Sequence, residues 1–372
     1  MRKKPVFIII ILLGAILLSG CAGGGARGTS WPGLAADNTA VYLADGPFIY
    51  AINLEDGRKL WQYPGSRNSK LSFYSTPVVT QDGLVIVGSS GSDHSLIALD
   101  PSDVDPATNA PVEAWRFSGA RDHWVAAPLI INDKLFAVNS DGYLYVLDLQ
   151  DGQTAKQAVK AIELGGRLWS QPVTDGERVF VTSLDHSVIA VDPTTYEVLW
   201  NEDLTGAIPG SAVLGADGFL YVGSLASQLE KFDPETGNHQ PVLDAKNWIW
   251  GTPASDGDTL YFGDLDGNIY AFNTSTGKLN WSPVKPDGAI TASPLIQNDQ
   301  ILLATESGFL YAIDRDGKTL WSEKVGVGDK IKIYTTPVAA GDLTILAPLG
   351  TDFYLRALDS NGRQVWSFTP EK

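Results

Sequence analysis

The sequence predicts an all-β chain folded as an eight-bladed β-propeller of four-stranded antiparallel blades. Three observations carry the prediction. A phrase made of an aliphatic strand, an Asp or Asn, a Gly turn and a short strand ending in Trp recurs along the chain, and it accounts for six of the 11 tryptophans. A second phrase, small or hydroxyl residues leading into Pro and an aliphatic residue, opens the units. Pro77 to Pro128 spans 51 residues, Pro128 to Pro172 spans 44 and Pro253 to Pro294 spans 41, near the period of a four-stranded blade. No segment beyond the amino-terminal stretch has a helical period.

The 372 residues are 44% apolar and 19% charged, enough to bury a core. Length alone would allow two or three domains, but a repeat running through the chain makes it one. A net charge of −16 argues against a nucleic-acid partner, which needs a basic footprint.

The amino terminus reads as an address. Arg2, Lys3 and Lys4 precede the thirteen-residue apolar run Val6–Leu18, long enough for a signal peptide and short for a membrane span. Leu18-Ser19-Gly20-Cys21 follows and resembles a bacterial lipobox. Residues 1–20 are therefore expected to be a lipoprotein signal peptide, and Cys21 the lipidation site. Residues 21–30 are expected to be a flexible, Gly-rich tether, and 31–370 a single propeller.

The units follow in order. Pro32-Gly33-Leu34-Ala35 weakly opens the first, which closes on Asn53, Gly57 and Trp61. Ser75-Thr76-Pro77-Val78 opens the second, where Asp100 leads to Trp115 after a Pro-rich insertion. Ala126-Ala127-Pro128-Leu129 opens the third; its phrase Val146-Leu147-Asp148…Gly152 lacks the Trp. Ser170-Gln171-Pro172-Val173 opens the fourth, in which Tyr196 replaces the glycine before Trp200. The fifth, from Gly210-Ser211-Ala212-Val213 to Lys231-Phe232-Asp233…Gly237, again lacks Trp. The last three open at Pro253, Pro294 and Pro337 and end on Trp281, Trp321 and Trp366. Within a unit, Asp266-Gly267 signals a type I′ hairpin between β-rich runs. Eight such sheets closing radially leave only short edges. The last phrase ends in its own strand, Trp366-Ser367-Phe368, so closure need not borrow an amino-terminal one.

The phrase Ala-x-Asp/Asn-x-x-x-Gly-x-x-x-Trp resembles the tryptophan-docking repeat of the PQQ-like (quinoprotein-type) β-propellers, over about residues 31–370. The resemblance implies that Trp61, Trp115, Trp200, Trp281, Trp321 and Trp366 are structural, each stacking between neighbouring blades near the Gly turn of the next unit. A residue repeated in every blade serves packing, whereas a ligand site should break the symmetry. With the lipobox, the chain is most similar to the BamB lipoproteins of that family.

The same family holds PQQ-dependent quinoprotein dehydrogenases. Likeness to them would imply PQQ stacked on a tryptophan, calcium held by carboxylates and an Asp base, with a vicinal disulfide lid in the alcohol dehydrogenase branch. Cys21 is the only cysteine, so neither that lid nor a Cys-x-x-Cys-His haem site can form. His94 and His186 sit in hairpin turns, His123 precedes Trp124, and His239 takes a docking position; none makes a zinc-helix pair. Asp264-Leu265-Asp266-Gly267-Asn268 reads as turn chemistry rather than a calcium loop. No catalytic residue, metal site or cofactor is therefore expected.

Three residues before the Pro-equivalent position the units place Trp31, Tyr74, Trp169, Trp250 and Tyr334, with Trp124 one residue further back. They are candidates for a binding rim at one mouth of the channel; the alternative is packing pegs between blades. Asp45, Asp141, Asp264 and Glu306 are expected to crowd one mouth with negative charge. The leading function is a non-enzymatic, lipid-anchored envelope scaffold for protein–protein interaction, with membrane contact through the lipid. A BamB-like role would imply the barrel-assembly protein as partner, at the periplasmic face of the outer membrane; without an outer membrane the site would be the outer face of the cell membrane. The partner-contact loop of that branch has no good match, Leu204-Thr205-Gly206-Ala207-Ile208 being a poor candidate. The alternatives are a quinoprotein dehydrogenase and an extracellular solute- or glycan-binding module.

Overall fold

The computed structural model describes residues 31–149, 157–326, 328 and 330–371. Cys21, the expected signal peptide and tether, and Gly152 lie outside them. The described chain forms eight four-stranded sheets, each of four consecutive strands paired antiparallel in chain order. Blades 1 to 8 span 33–63, 78–117, 129–163, 173–203, 213–244, 254–279, 295–324 and 338–368. In blade 6 the strands are Ala254–Asp256, Thr259–Gly263, Ile269–Asn273 and Lys278–Leu279. Eight complete meanders make an eight-bladed propeller.

Sheets stacked on both sides explain why the middle strands are apolar throughout rather than alternating. Val85–Gly88 and Val179–Thr182 are buried at every position. The core is correspondingly divided into eight apolar clusters, each shared by two adjacent blades; one joins Tyr42 and Trp61 to Phe73 and Val85 across blades 1 and 2.

The turn between the third and fourth strands owes its form to the Asp or Asn of the repeat. Asn53 Oδ1 accepts the backbone N–H groups of Glu55 (2.9 Å) and Asp56 (3.2 Å), and the N–H of Gly57 (φ 73°) returns to Asn53 O. Only a residue tolerating positive φ completes this turn. Tyr196 does so at φ 62° in blade 4, where the N–H groups of Thr195 and Thr194 hold the Asp192 carboxyl below its ordinary range.

The ring closes without a borrowed strand. Trp366 of blade 8 donates Nε1–H to Leu54 O of blade 1 at 2.8 Å, Thr335 Oγ1 donates to Pro32 O at 3.0 Å, and Leu34, Leu43 and Ile52 pack against Ile345, Leu355 and Phe368.

Around the axis, five of the eight residues before the Pro-equivalent positions carry hydroxyls: Thr76, Ser211, Thr252, Ser293 and Thr336. The N–H groups of Ser211, Thr252 and Ser293 donate to Thr252 Oγ1 (2.8 Å), Ser293 Oγ (2.9 Å) and Thr336 Oγ1 (3.0 Å), each in the next blade. Thr252→Val keeps the shape but leaves the Ser211 N–H without its acceptor. A loss of about 1–3 kcal/mol is expected in urea denaturation, whereas Thr76→Val, which removes no such bond, should leave the midpoint nearly unchanged.

Candidate functional site

Successive side chains of an extended segment point opposite ways, and the segment entering each first strand shows the consequence. Four residues before the Pro-equivalent position stand Phe73, Trp124, Leu168, Ile208, Ile249, Ile290 and Ile333, each no more than 1% exposed. They are wedged between blades. Five of their backbone N–H groups reach the preceding blade, as in Ile249 to Ser224 O (3.2 Å) and Ile290 to Asp264 O (3.1 Å). The next residue turns to the axis, and from all eight blades it lines one cavity of about 1170 Å³.

Five of those eight residues are aromatic: Trp31, Tyr74, Trp169, Trp250 and Tyr334. Trp31 reaches across the mouth, its ring 5.4 Å from Trp250 of blade 6 in a T-shaped contact and 5.9 Å from Tyr334 of blade 8. Trp169 is oriented by Nε1–H donation to Ser140 Oγ at 3.0 Å. Burial and the nearby Glu306 carboxylate push the Tyr334 hydroxyl upward. The other three are Val125, Pro209 and Thr291.

Trp124 does not belong to this rim. Its one-residue offset turns it inward, where it packs on Phe117 and Tyr145 and donates Nε1–H to His94 O at 2.8 Å. The Asp residues expected at the mouth are also largely consumed by turns. Asp264 is fully buried, accepting from Asn268 and from the Tyr270 hydroxyl (2.8 Å); Asp45 is 4% exposed; Asp141 accepts from Tyr145 at 2.7 Å. In the 204–212 loop Leu204 and Ile208 are core residues. His94 is not a free surface histidine, since its ring lies 5.4 Å from that of His123 and its Nδ1 is buried without a partner. His239 stacks on Phe232 at 4.8 Å.

The repeat tryptophans lie at the outer seams. Trp200, Trp281, Trp321 and Trp366 lie against Gly237, Gly317, Gly362 and Gly57 of the following blade. Each donates Nε1–H to a carbonyl there, of Pro234 (3.0 Å), Arg315 (3.1 Å), Ser360 (3.1 Å) and Leu54 respectively. Beside Trp61 the turn carries Asn109 at φ 56° in place of glycine, and its Nδ2 donates to Leu60 O at 2.9 Å. Trp115 is 3% exposed; Gly152, the turn glycine of the next unit, lies outside the described residues.

The cavity does not present the donor set of a quinone–calcium centre. Among the described residues Asp122 is its only lining carboxylate, and it lies 2.6 Å from His123 Nδ1. Among the described residues no three His, Cys, Asp or Glu side chains gather as metal ligands.

The chain is similar to proteins of one kind in particular. A family model described as outer membrane protein assembly factor BamB matches residues 14–163, 155–247 and 239–370. The protein of that name from Shewanella oneidensis is 26% identical over 56% of this chain, which spans 56% of its length. That from Yersinia pestis is 22% identical over 76% of the chain and 71% of its own length. A quinohemoprotein alcohol dehydrogenase of Pseudomonas putida is 27% identical, over 48% of the chain and 29% of its length. The crystal structure of BamB from Moraxella catarrhalis superposes with a TM-score of 0.64 at 20% identity, covering 88% of this chain and 91% of that one. With eight PQQ-like blades and a family match running through all of them, the chain belongs to the outer membrane protein assembly factor BamB family.

Proposed function

We propose that this propeller is a non-enzymatic, lipid-anchored scaffold of the cell envelope that serves outer-membrane protein assembly and grips a protein partner at the aromatic mouth of its channel. The observation that carries the docking site is the convergence of Trp31, Tyr74, Trp169, Trp250 and Tyr334, from five separate blades, on one cavity. Trp and Tyr offer large apolar area with few rotamers to freeze, which makes them favoured interface anchors. Their uneven distribution supports a specific ligand, because a ring of eight equivalent pegs would have no preferred direction. Family membership supports the barrel-assembly protein as the partner, Cys21 as the acylated residue and the periplasmic side of the outer membrane as the location.

The test is recovery of the barrel-assembly protein with the tagged full-length chain from solubilised envelopes. Trp169→Ala combined with Trp250→Ala should lower recovery about tenfold or more, the loss expected for interface anchors, with the melting temperature nearly unchanged. Undiminished recovery together with a large drop in melting temperature would show these rings to be packing alone.

A further inference from the structure

Because the four strands of a blade alternate in direction, its connections fall on two faces of the ring. The turns joining first to second and third to fourth strands lie on one face. The turns joining second to third strands, and the loops between blades, lie on the other, around the aromatic mouth. The charges divide unequally. Among described residues the turns of the first face hold nineteen acids and five bases, whereas the mouth face holds nine acids and eight bases. Almost all of the net negative charge in these connections therefore sits on the face away from the mouth.

The bases of the mouth face share a setting. All eight lie in the interblade loops, where the described residues include two acids, Asp122 and Asp287. Arg67 and Lys70 precede blade 2, Arg121 blade 3, Arg167 blade 4, Lys246 blade 6 and Lys285 blade 7, and the loop before blade 8 adds two more. Seven of the eight are exposed, and none forms an ion pair among the described residues. On the opposite face Arg58, Arg178 and Arg315 are each paired to acids. Two of the most exposed large aromatics, Trp248 (48%) and Trp31 (37%), stand among the unpaired bases.

We infer that the mouth face lies against an anionic lipid surface, with Trp31 and Trp248 at headgroup depth and the interblade Arg and Lys residues over lipid phosphates. Amphipathic rings and long basic side chains are suited to that boundary, and basic residues near an anionic leaflet are attracted within a Debye length. The point of chain entry favours lipid over an acidic protein. Trp31, the first described residue, stands at the mouth, and the ten residues Cys21–Ser30 can extend no further than about 35 Å. The inference rests on the proposed lipidation for this proximity. A tether rooted at the mouth keeps that face near the bilayer at high effective concentration, while the acidic face is repelled from it. Partner capture at the channel and lipid contact at the surrounding loops use the same face, so the two are expected to compete.

The probe is flotation of the chain from residue 21 onward, which contains every blade, made without lipid as Cys21→Ser. It is mixed with vesicles of phosphatidylethanolamine and phosphatidylglycerol, or of phosphatidylcholine alone. Binding to the anionic vesicles only, released by high salt, is expected. Lys70→Glu, Lys246→Glu and Lys285→Glu together should weaken it about tenfold or more, and the opposite-face pair Lys318→Glu and Arg363→Glu should not, with equal melting temperatures throughout. No flotation on anionic vesicles at low salt, or equal weakening by both sets, overturns the inference; so does vesicle indifference in a chain that still captures an acidic partner through the same bases. Lipidation is read separately, from loss of lipid label in the full chain carrying Cys21→Ala. If label persists while the vesicle result holds, the tether reading fails and the face stands; the reverse pattern sinks the face alone.

Discussion

Trp124→Ala is expected to destabilise the propeller by about 3–5 kcal/mol in denaturant unfolding, the range for emptying a large buried aromatic site. Trp31→Ala should cost far less. Trp124 is 1% exposed and packed among Phe117, Tyr145 and the close backbone of Gly88, where an added Cβ would come within 2.2 Å of the Trp124 Cβ. Alanine keeps that Cβ contact but empties the indole space beside Phe117 and Tyr145. The substitution also strips the His94 carbonyl of its indole donor. Trp31 is 37% exposed, so its truncation removes surface contacts only. Comparable losses at the two positions would mean that the mouth aromatics are core and not rim.

The second large effect is expected at the seam that closes the ring. Trp366→Ala should cost about 3–5 kcal/mol, more than Trp321→Ala at the neighbouring seam. Trp366 is 7% exposed and Trp321 only half-buried, although each makes the same indole–carbonyl bond. The two seams also differ in connectivity. Blades 7 and 8 are consecutive in the chain, whereas Trp366 bonds a residue 312 positions away, so side chains and not the backbone hold blades 8 and 1 together. A broader transition, with amide exchange rising first in blades 1 and 8, should accompany the loss of stability. Equal midpoints for the two variants would show that the closing seam is no more vulnerable than the others.

What was legible in the sequence was what short segments decide for themselves. Asn53 and Asp192 cap their own turns, Gly57 supplies the positive φ, and Trp at a constant distance marks the outer strand, so blade number and boundaries follow from local chemistry repeated eight times. Even the degenerate units kept their Asp, as Asp148 and Asp233 show. The channel-facing position was legible for five aromatics because it keeps a constant distance from the Pro. It does not hold for Trp124, which lies one residue off that register and faces the core. The hydroxyl belt had a signal, Ser or Thr before the Pro-equivalent position, but its meaning needs the neighbouring blade.

The sequence by itself determined an eight-bladed propeller and the turns that bound its strands, because those depend on backbone conformations that a few adjacent residues impose. Only the tertiary structure decided which way each side chain of an extended segment points, since neighbours one position apart face opposite environments and the environment belongs to another blade. It also decided where the charge lies. Alternate turns of a meander go to opposite faces, so acids and bases interspersed along the chain separate into an acidic face and a mouth ringed with unpaired bases only when the strands are laid side by side.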